Sequence, residues 1–599
     1  MEVSKSTSEQ IEGAPPVGNI DTTFELEDEQ KLSNLEDDPH RAALEDNPPE
    51  PEKMTFMKTL AIFFLGLAIS APVGCGFLLV TPVLDNIGEA VGNTSLGWIP
   101  SGWSTASGVS FCIAGAFSDI FGRKYVIVAG QVFTIVGAIV AGTATTVHSV
   151  IAGSTIIGFG AGFVFVTYAA IPEIVPNKYR GAALSWAELC INLPWGVCQT
   201  IISVQLAEKA TWRWVYYICI IVAGVTMAGT IITYFPPSRP QRDYEKSRLQ
   251  ELFELDWIGM ILYTSGLTVF LIGFSWAGTP GYPWKSVSVI LPIVLGAVIF
   301  ILCFVYDWTL AKNPFFPFSL FSKVREFSLL LVGLFVAGMI FFSMASILPQ
   351  ASTYVFGSDG IQLGLTQLPN NFGQLIGGAI IPAFMHKIKH MREQLVVALA
   401  IQTIFTAAYA ATIPQHKAAW MALQLFGSIC FSWATLCCYV AAGVNVPLRE
   451  LGLATGIIGT FRNSGGSVGI AIFNTIRTGV LNSQLAPRVT KAALENGFPS
   501  SSLKELVPAV QEAVLGKPAA LRALSGVTPA VESATITAFK GAYAYAFQRV
   551  FLSTIPFGVI ATVTVIFVKE SSQYLTNHTA VHLEREQLRE SKKRESGAA

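Results

Sequence analysis

Residues 115–124 read GAFSDIFGRK and stand at the end of a long apolar run. Asp119 and Arg123 are four positions apart, so they share one helical face if the helix continues through them. Gly115 and Gly122 permit close backbone approach to a neighbouring helix. A solvated ion pair that merely ends a helix would give part of this pattern, so its meaning depends on the surroundings. A second charged cluster, PEIVPNKYRG at 172–181, brings Glu173 and Arg180 to the end of another apolar run. Two acids and two bases then meet at one rim, a set able to lock two halves of a protein together and release them.

The rest of the chain says what lies between those rims. It has 599 residues, 52% hydrophobic and only 13% charged, with a mean hydropathy of +0.51. Soluble domains carry about 25% charged residues, so half that share over this length points to lipid. The net charge of −1 gives no global basic field for nucleic acid. A spanning helix needs about 20 mostly apolar residues. Such runs fall near 57–84, 95–118, 125–145, 149–171, 181–204, 213–235, 257–275 and 286–307. Others fall near 327–348, 362–385, 394–413, 418–443, 452–476 and 547–568. About fourteen spans put both termini on one side. With that side cytoplasmic, the short inner loops hold fifteen Lys and Arg from Arg123 to Arg449, and the short outer loops hold only Lys209, Arg213, Lys285 and Lys417. This is the bias that fixes orientation in membranes.

Segments outside the spans have their own character. Residues 1–53 are rich in Glu, Asp, Ser and Pro and are expected to be a disordered acidic cytoplasmic tail, because they cannot bury enough apolar area to offset chain entropy. No signal-peptide pattern precedes the first span, which is expected to serve as an uncleaved targeting signal. The stretch 477–546 is expected to be an outer loop with amphipathic helices such as SSLKELVPAVQEAVLG, and 570–599 a second cytoplasmic tail. Asn93-Thr94-Ser95 is an outer-side glycosylation sequon lying almost against the membrane. The nine cysteines all sit in apolar runs without metal spacing, where a thiol packs as a small hydrophobe.

GAFSDIFGRK resembles the loop-2/3 signature of the major facilitator superfamily, and the Glu173-to-Arg180 spacing resembles another of its inner-rim motifs. WRWVYY at 212–217, ELDWIGM at 254–260 and WAGTPGYPWKS at 276–286 resemble the fourteen-span drug:proton antiporter group. With FSDIFGRKY, AIPEIVPNK and the long loop before the last span, the chain is similar to the fungal trichothecene efflux pump family, whose neighbours include siderophore transporters. The resemblance covers roughly residues 57–570. It implies an all-α polytopic membrane protein of two six-helix bundles, 54–236 and 327–569, with two helices inserted in the linker 237–326. It also implies a substrate path between the bundles, and gating by rocking of one against the other. Antiporters of this superfamily carry an Arg in span four, four residues before a Gly. Counting back from Gly158, Ser154 stands there, and the Gly-Pro signature of span five is reduced to INLPWG with Pro194 and Gly196. Proton coupling is therefore expected from other residues.

Ionisable side chains inside spans cost about 2.5–3.5 kcal/mol each and mark function by default. Glu188 lies roughly 10 Å into span five at 1.5 Å per residue, and Arg462 falls near the middle of span thirteen. Glu188 is expected to carry the proton, with Arg462 as its partner or as a charge that orients substrate. Trp103, Tyr168, Asn192, Trp195, Gln199 and Gln374 are candidates to line the cavity, with a broken helix at Pro194-Trp195-Gly196. Aromatic faces with a few hydrogen-bonding groups fit a bulky, amphipathic, largely uncharged ligand. One proton crossing about 100 mV contributes about 2.3 kcal/mol and one pH unit about 1.4, enough for a substrate gradient of roughly a few hundredfold.

Function classes other than this one leave traces that the sequence lacks. No GxxxxGK[ST] loop is present for an ATP-driven pump, and GFGAG at 158–162 lies inside a span with no preceding strand. A membrane hydroxylase or desaturase needs converging histidines, whereas the seven here are scattered over tails and span ends, His386 and His390 included. No enzyme activity, metal or cofactor is expected. A receptor built on a transporter fold would carry long cytoplasmic extensions, and the tails here are short. The expectation is a monomeric exporter of a toxic metabolite or drug-like compound, in the plasma membrane rather than the vacuolar one, exchanging substrate for protons. Uptake of a siderophore-iron complex is the alternative that uses the same fold.

Overall fold

The computed structural model describes residues 39–45, 47–50, 54–92, 96–236, 250, 253–277, 282–312, 314–358, 360–500, 503–514 and 518–579. Its secondary structure there is almost wholly helical. Helix starts follow local capping chemistry. Thr55, Thr146, Asp256 and Thr528 each accept a hydrogen bond from the backbone three residues on, which satisfies an otherwise unpaired N–H of the first turn.

Span 1 is Phe56–Val91, followed by span 3 (Arg123–Gly142), span 4 (Val147–Glu173) and span 6 (Arg213–Thr233). Span 7 is Trp257–Trp276, span 8 Val287–Thr309, span 9 Val324–Tyr354, span 11 Met391–Thr412, span 12 Lys417–Asn445 and span 14 Pro529–Ile566. These ten are the helices among the described residues that are long and apolar enough to cross a membrane. An eleventh, span 5, is a pair, Asn177–Gly196 and Gln199–Lys209, bent by 41° at the break expected around Pro194. Three more helices occupy the places expected of spans 2, 10 and 13: Trp98–Phe121, Gly360–Leu375 continued by Ile376–Ile380, and Leu451–Glu495. Their lower hydropathy has a physical cause. They are the Ser-, Gly-, Asn- and Gln-bearing helices along which the two six-helix halves touch, so they face protein more than lipid.

Two inner faces illustrate the packing. Gly115 of span 2 lies against the Gly452 carbonyl of span 13, so close that a Cβ there would overlap it. Gly122 has open space around it but a φ of +88°. It is the turn between spans 2 and 3 rather than a packing site, and only Gly115 provides the close approach expected of both. Spans 7 and 8 form a hairpin on the flank. Tyr263 of span 7 donates to the Val109 carbonyl (3.2 Å) and meets Thr460 Oγ1 (3.1 Å), touching both halves. Only 17% of span 8 is buried, against 78% of span 12, so span 8 takes the lipid edge.

Two boundaries differ from expectation. The 477–546 stretch is mostly a continuation of spans 13 and 14 as unbroken helices, with Leu503–Val514 and Ala519–Arg522 between them. Val489, Ala493, Leu506, Val510, Leu521 and Val531 are buried there, a small outer core that keeps the helices going past the apolar span. The tail expected to be disordered over 1–53 contains the helix Pro39–Glu45, whose Ala43 is buried with Val444 and Tyr574; residues 1–38, 46 and 51–53 lie outside the described residues. So does the Asn93 sequon.

Candidate functional site

At the end of the molecule that carries Asp119, called the inner rim after its expected orientation, Arg123 is 1% exposed and holds two acids together. It pairs with Asp119 Oδ1 at 2.7 Å and with Glu173 Oε1 at 2.7 Å, and Ser118 Oγ accepts a further bond. Arg180 does not complete this set as an ion pair. It donates to the Pro172 carbonyl (3.1 Å) and to the Gly443 carbonyl.

Two contacts between the halves at this rim run from a charged side chain to backbone. Asp119 accepts from the N–H groups of Gly452 (3.1 Å) and Leu453 (2.9 Å), in the first turn of span 13. Arg180 reaches a carbonyl in the last turn of span 12. An anion sits at one helix N-terminus and a cation at another's C-terminus, each favoured by the helix dipole. The chain after span 14 adds a strap across the same rim. Backbone N–H groups of Asn177 and Lys178 donate to the carbonyls of His578 and Thr576, both at 2.8 Å. At its other end Glu570 accepts from Met391 N and Arg392 N at 3.0 Å, capping span 11. Between these, Ser571 donates to Asn445 Oδ1 (3.0 Å), and His40 stacks on Tyr574 with ring centroids 3.9 Å apart. Burial acts to raise the Glu570 carboxyl, but the Ser572 hydroxyl and the Ser572 and Arg392 N–H groups outweigh it and hold it at about 2.

Midway between the rims lies the second cluster. Tyr168 of span 4 donates to Glu188 Oε1 at 2.6 Å, and Asn192 Nδ2 bonds the Glu188 carbonyl at 2.8 Å and Oε2 at 3.4 Å. All three are at least nine-tenths buried. Across the divide, Gly378 of the C-terminal half lies against the Glu188 side chain, and the Tyr168 ring meets Tyr439 of span 12 at 4.8 Å. Arg462 of span 13 is close enough to act electrostatically on Glu188 without forming an ion pair with it. It faces the rings of Phe165 (5.5 Å) and Phe431 (6.0 Å) instead.

Tyr168, Glu188, Asn192 and Arg462 are thus brought together. Trp103 and Trp195 are not: Trp103 donates to the Pro72 carbonyl (3.2 Å) and stacks on Phe77, and Trp195 packs on Gly74, both against span 1. Gln199 and Gln374 are half-buried on spans 5 and 10, whose outer portions touch where Asn371 donates to the Val197 carbonyl. Ser154, in the place of the expected arginine, meets the Tyr216 hydroxyl at 3.4 Å. Among the described residues no group of His, Cys, Asp or Glu has the geometry to hold a metal.

Two helical halves meeting along spans 2, 5, 10 and 13, locked at one rim and polar at the centre, define a transporter of the major facilitator superfamily. The human organic anion transporter MFSD10 shares this fold, with a TM-score of 0.55 over 86% of this chain and 100% of that one at 12% identity. The model of the fungal trichothecene efflux pump family (TRI12) matches residues 59–596, and the chain belongs to that family. Its relatives include the trichothecene efflux pump TRI12 of Fusarium sporotrichioides, 29% identical over 83% of both chains. Another is the MFS-type transporter prx5 of Penicillium rubens, 26% identical over 74% of this chain and 81% of that one. The MFS-type efflux pump LUC4 of a Fusarium species is 26% identical over 72% of this chain and 77% of that one.

Proposed function

We propose that this protein exports a bulky, amphipathic secondary metabolite across the plasma membrane in exchange for protons, with both termini cytoplasmic and the polypeptide acting as a monomer. Efflux pumps among its relatives support the direction. The observation that carries proton exchange is Glu188, a carboxylate buried at the junction of the halves and reached by donors from spans 4 and 5. A proton delivered there removes the charge that Tyr168 and Asn192 stabilise, and so changes how the halves sit against each other. Asp119, Arg123, Glu173 and Arg180 would then gate the inner rim, while Gln199 and Gln374 would border the outer path. The charge-to-backbone contacts of the rim suit a gate, because they are directional.

Export of a radiolabelled trichothecene from cells expressing the protein, measured at external pH 5.5 and 7.5, tests this reading. Glu188→Gln should lower export at least about tenfold and flatten its pH dependence, with Glu188→Asp retaining part of both. Export by Glu188→Gln that is unchanged and still pH-dependent would remove Glu188 from the coupling role.

A further inference from the structure

Hydrogen bonds at the central cluster are unevenly spent. Glu188 already accepts from Tyr168 and Asn192. Arg462 is the opposite case: its guanidinium makes no hydrogen bond to a described residue, and its Nε is fully enclosed without a partner. Nearby Tyr439, 2% exposed, also donates to no described side chain or carbonyl. Arg462 as a whole is only partly buried, but an enclosed Nε without an acceptor is costly, and the faces of Phe165 and Phe431 return only part of that cost. Its backbone is fixed, since Gly338 of span 9 packs directly on the Arg462 carbonyl. The rings are fixed too: Phe431 is stacked on Phe341 with centroids 3.9 Å apart and planes at 1°, and Phe165 lies 5.2 Å from Tyr168.

We infer that Arg462 anchors the transported molecule, and that the site takes a rigid apolar ring body bearing an oxygen acceptor: a carbonyl, ester or carboxylate. The ring body lies among Phe165 and Tyr168 of one half and Phe431 and Tyr439 of the other. The oxygen accepts from the Arg462 guanidinium, with the Tyr439 hydroxyl as a second donor. The positive charge of the unspent Arg462 donor selects for an acceptor-bearing molecule over an amphipathic cation, whose charge would face it. The inference rests on the export reading for its meaning, but binding alone is enough to test it.

Four fluorescent probes share one tricyclic body: 9-methylanthracene, methyl 9-anthracenecarboxylate, 9-anthracenecarboxylate and 9-(aminomethyl)anthracene. Their binding to the full chain in nanodiscs is read by energy transfer from tryptophan, with empty nanodiscs subtracted. The ester and the carboxylate should bind at least about tenfold more tightly than 9-methylanthracene, and the amine no more tightly than it. A carboxylate bound better than the ester assigns anionic substrates; equal binding assigns neutral ones. Arg462→Gln should bring the oxygen preference to near one, Arg462→Lys should keep part of it, and Glu188→Gln should keep it. Phe431→Leu, which leaves the arginine in place, should weaken all four probes while keeping their ratio. A preference that survives Arg462→Gln in monodisperse protein, or an amine bound as tightly as the ester, overturns the inference. Wild-type protein that binds selectively but exports no trichothecene would defeat the export reading and leave the anchor standing.

Discussion

The helix expected to carry both Asp119 and Arg123 ends at Phe121, so the two lie on either side of the Gly122 turn, still paired but doing separate work. Arg123 ties the start of span 3 to Glu173 within its own half, whereas Asp119 reaches across to the N–H groups of Gly452 and Leu453. Loss of a helix cap costs about 1 kcal/mol, roughly a fivefold shift in a two-state balance. Asp119→Ala should therefore raise the labelling rate of a cysteine placed at Ser118 several-fold from the inner side, with no such rise expected at the outer rim. Glu570 offers a pH test. Its carboxyl is held at about 2 in the folded chain, below the ordinary value, so its contribution is fully present above about pH 4.5 and is lost as pH falls through 2. Glu570→Gln should lower stability by about 1 kcal/mol at pH 7, solvent screening keeping the effect modest at this half-exposed site. Melting temperatures of the two proteins should converge as pH drops from 5 to 3. Legibility at this scale follows chemistry. Charges in an apolar chain are conspicuous, so the acids and bases of the rim and Glu188 and Arg462 stood out. Phe165, Phe431 and Tyr439 did not, because an aromatic in a span reads as packing, and the acceptor of Arg180 is a carbonyl that no side-chain pattern reveals.

Spans 2, 10 and 13 show what hydropathy measures and what it misses. Their weak apolar signal comes from facing the other half, and the same Gly and Ser positions that dilute it permit the close approach. Gly115→Val should force spans 2 and 13 apart, with overpacking of about 1–3 kcal/mol. The expected result is normal membrane insertion with export reduced at least tenfold, measured against expression by blotting. Gly122→Ala, which strains a turn but meets no neighbour, should cost about 1 kcal/mol and leave most export intact. The ends of spans 13 and 14 were not legible for a different reason. Hydropathy marks where lipid ends, while the helices run on as far as Val489, Ala493 and Val531 can bury against Leu506, Val510 and Leu521. The break in span 5 was legible, since Pro194 and Gly196 weaken a helix wherever they stand.

For the whole molecule, the proposed gating assigns the terms of motion to the cross-half contacts at the inner rim. Asp119, Arg180 and the 569–579 strap close it, while at the far side Asn371 and Val197 bring spans 5 and 10 together. A rocking exporter must break one set as it keeps the other, pivoting on the Glu188–Arg462 region. Pulsed dipolar spectroscopy of spin labels tests this directly, with one pair at Tyr125 and Lys387 near the inner rim and another at Glu208 and Gln362 near the outer. On moving reconstituted protein from pH 7.5 to 5.5, one distance should lengthen while the other shortens, and Glu188→Gln should lock both. Distances that stay fixed at both rims, or that lengthen and shorten together, would contradict alternating access in this protein.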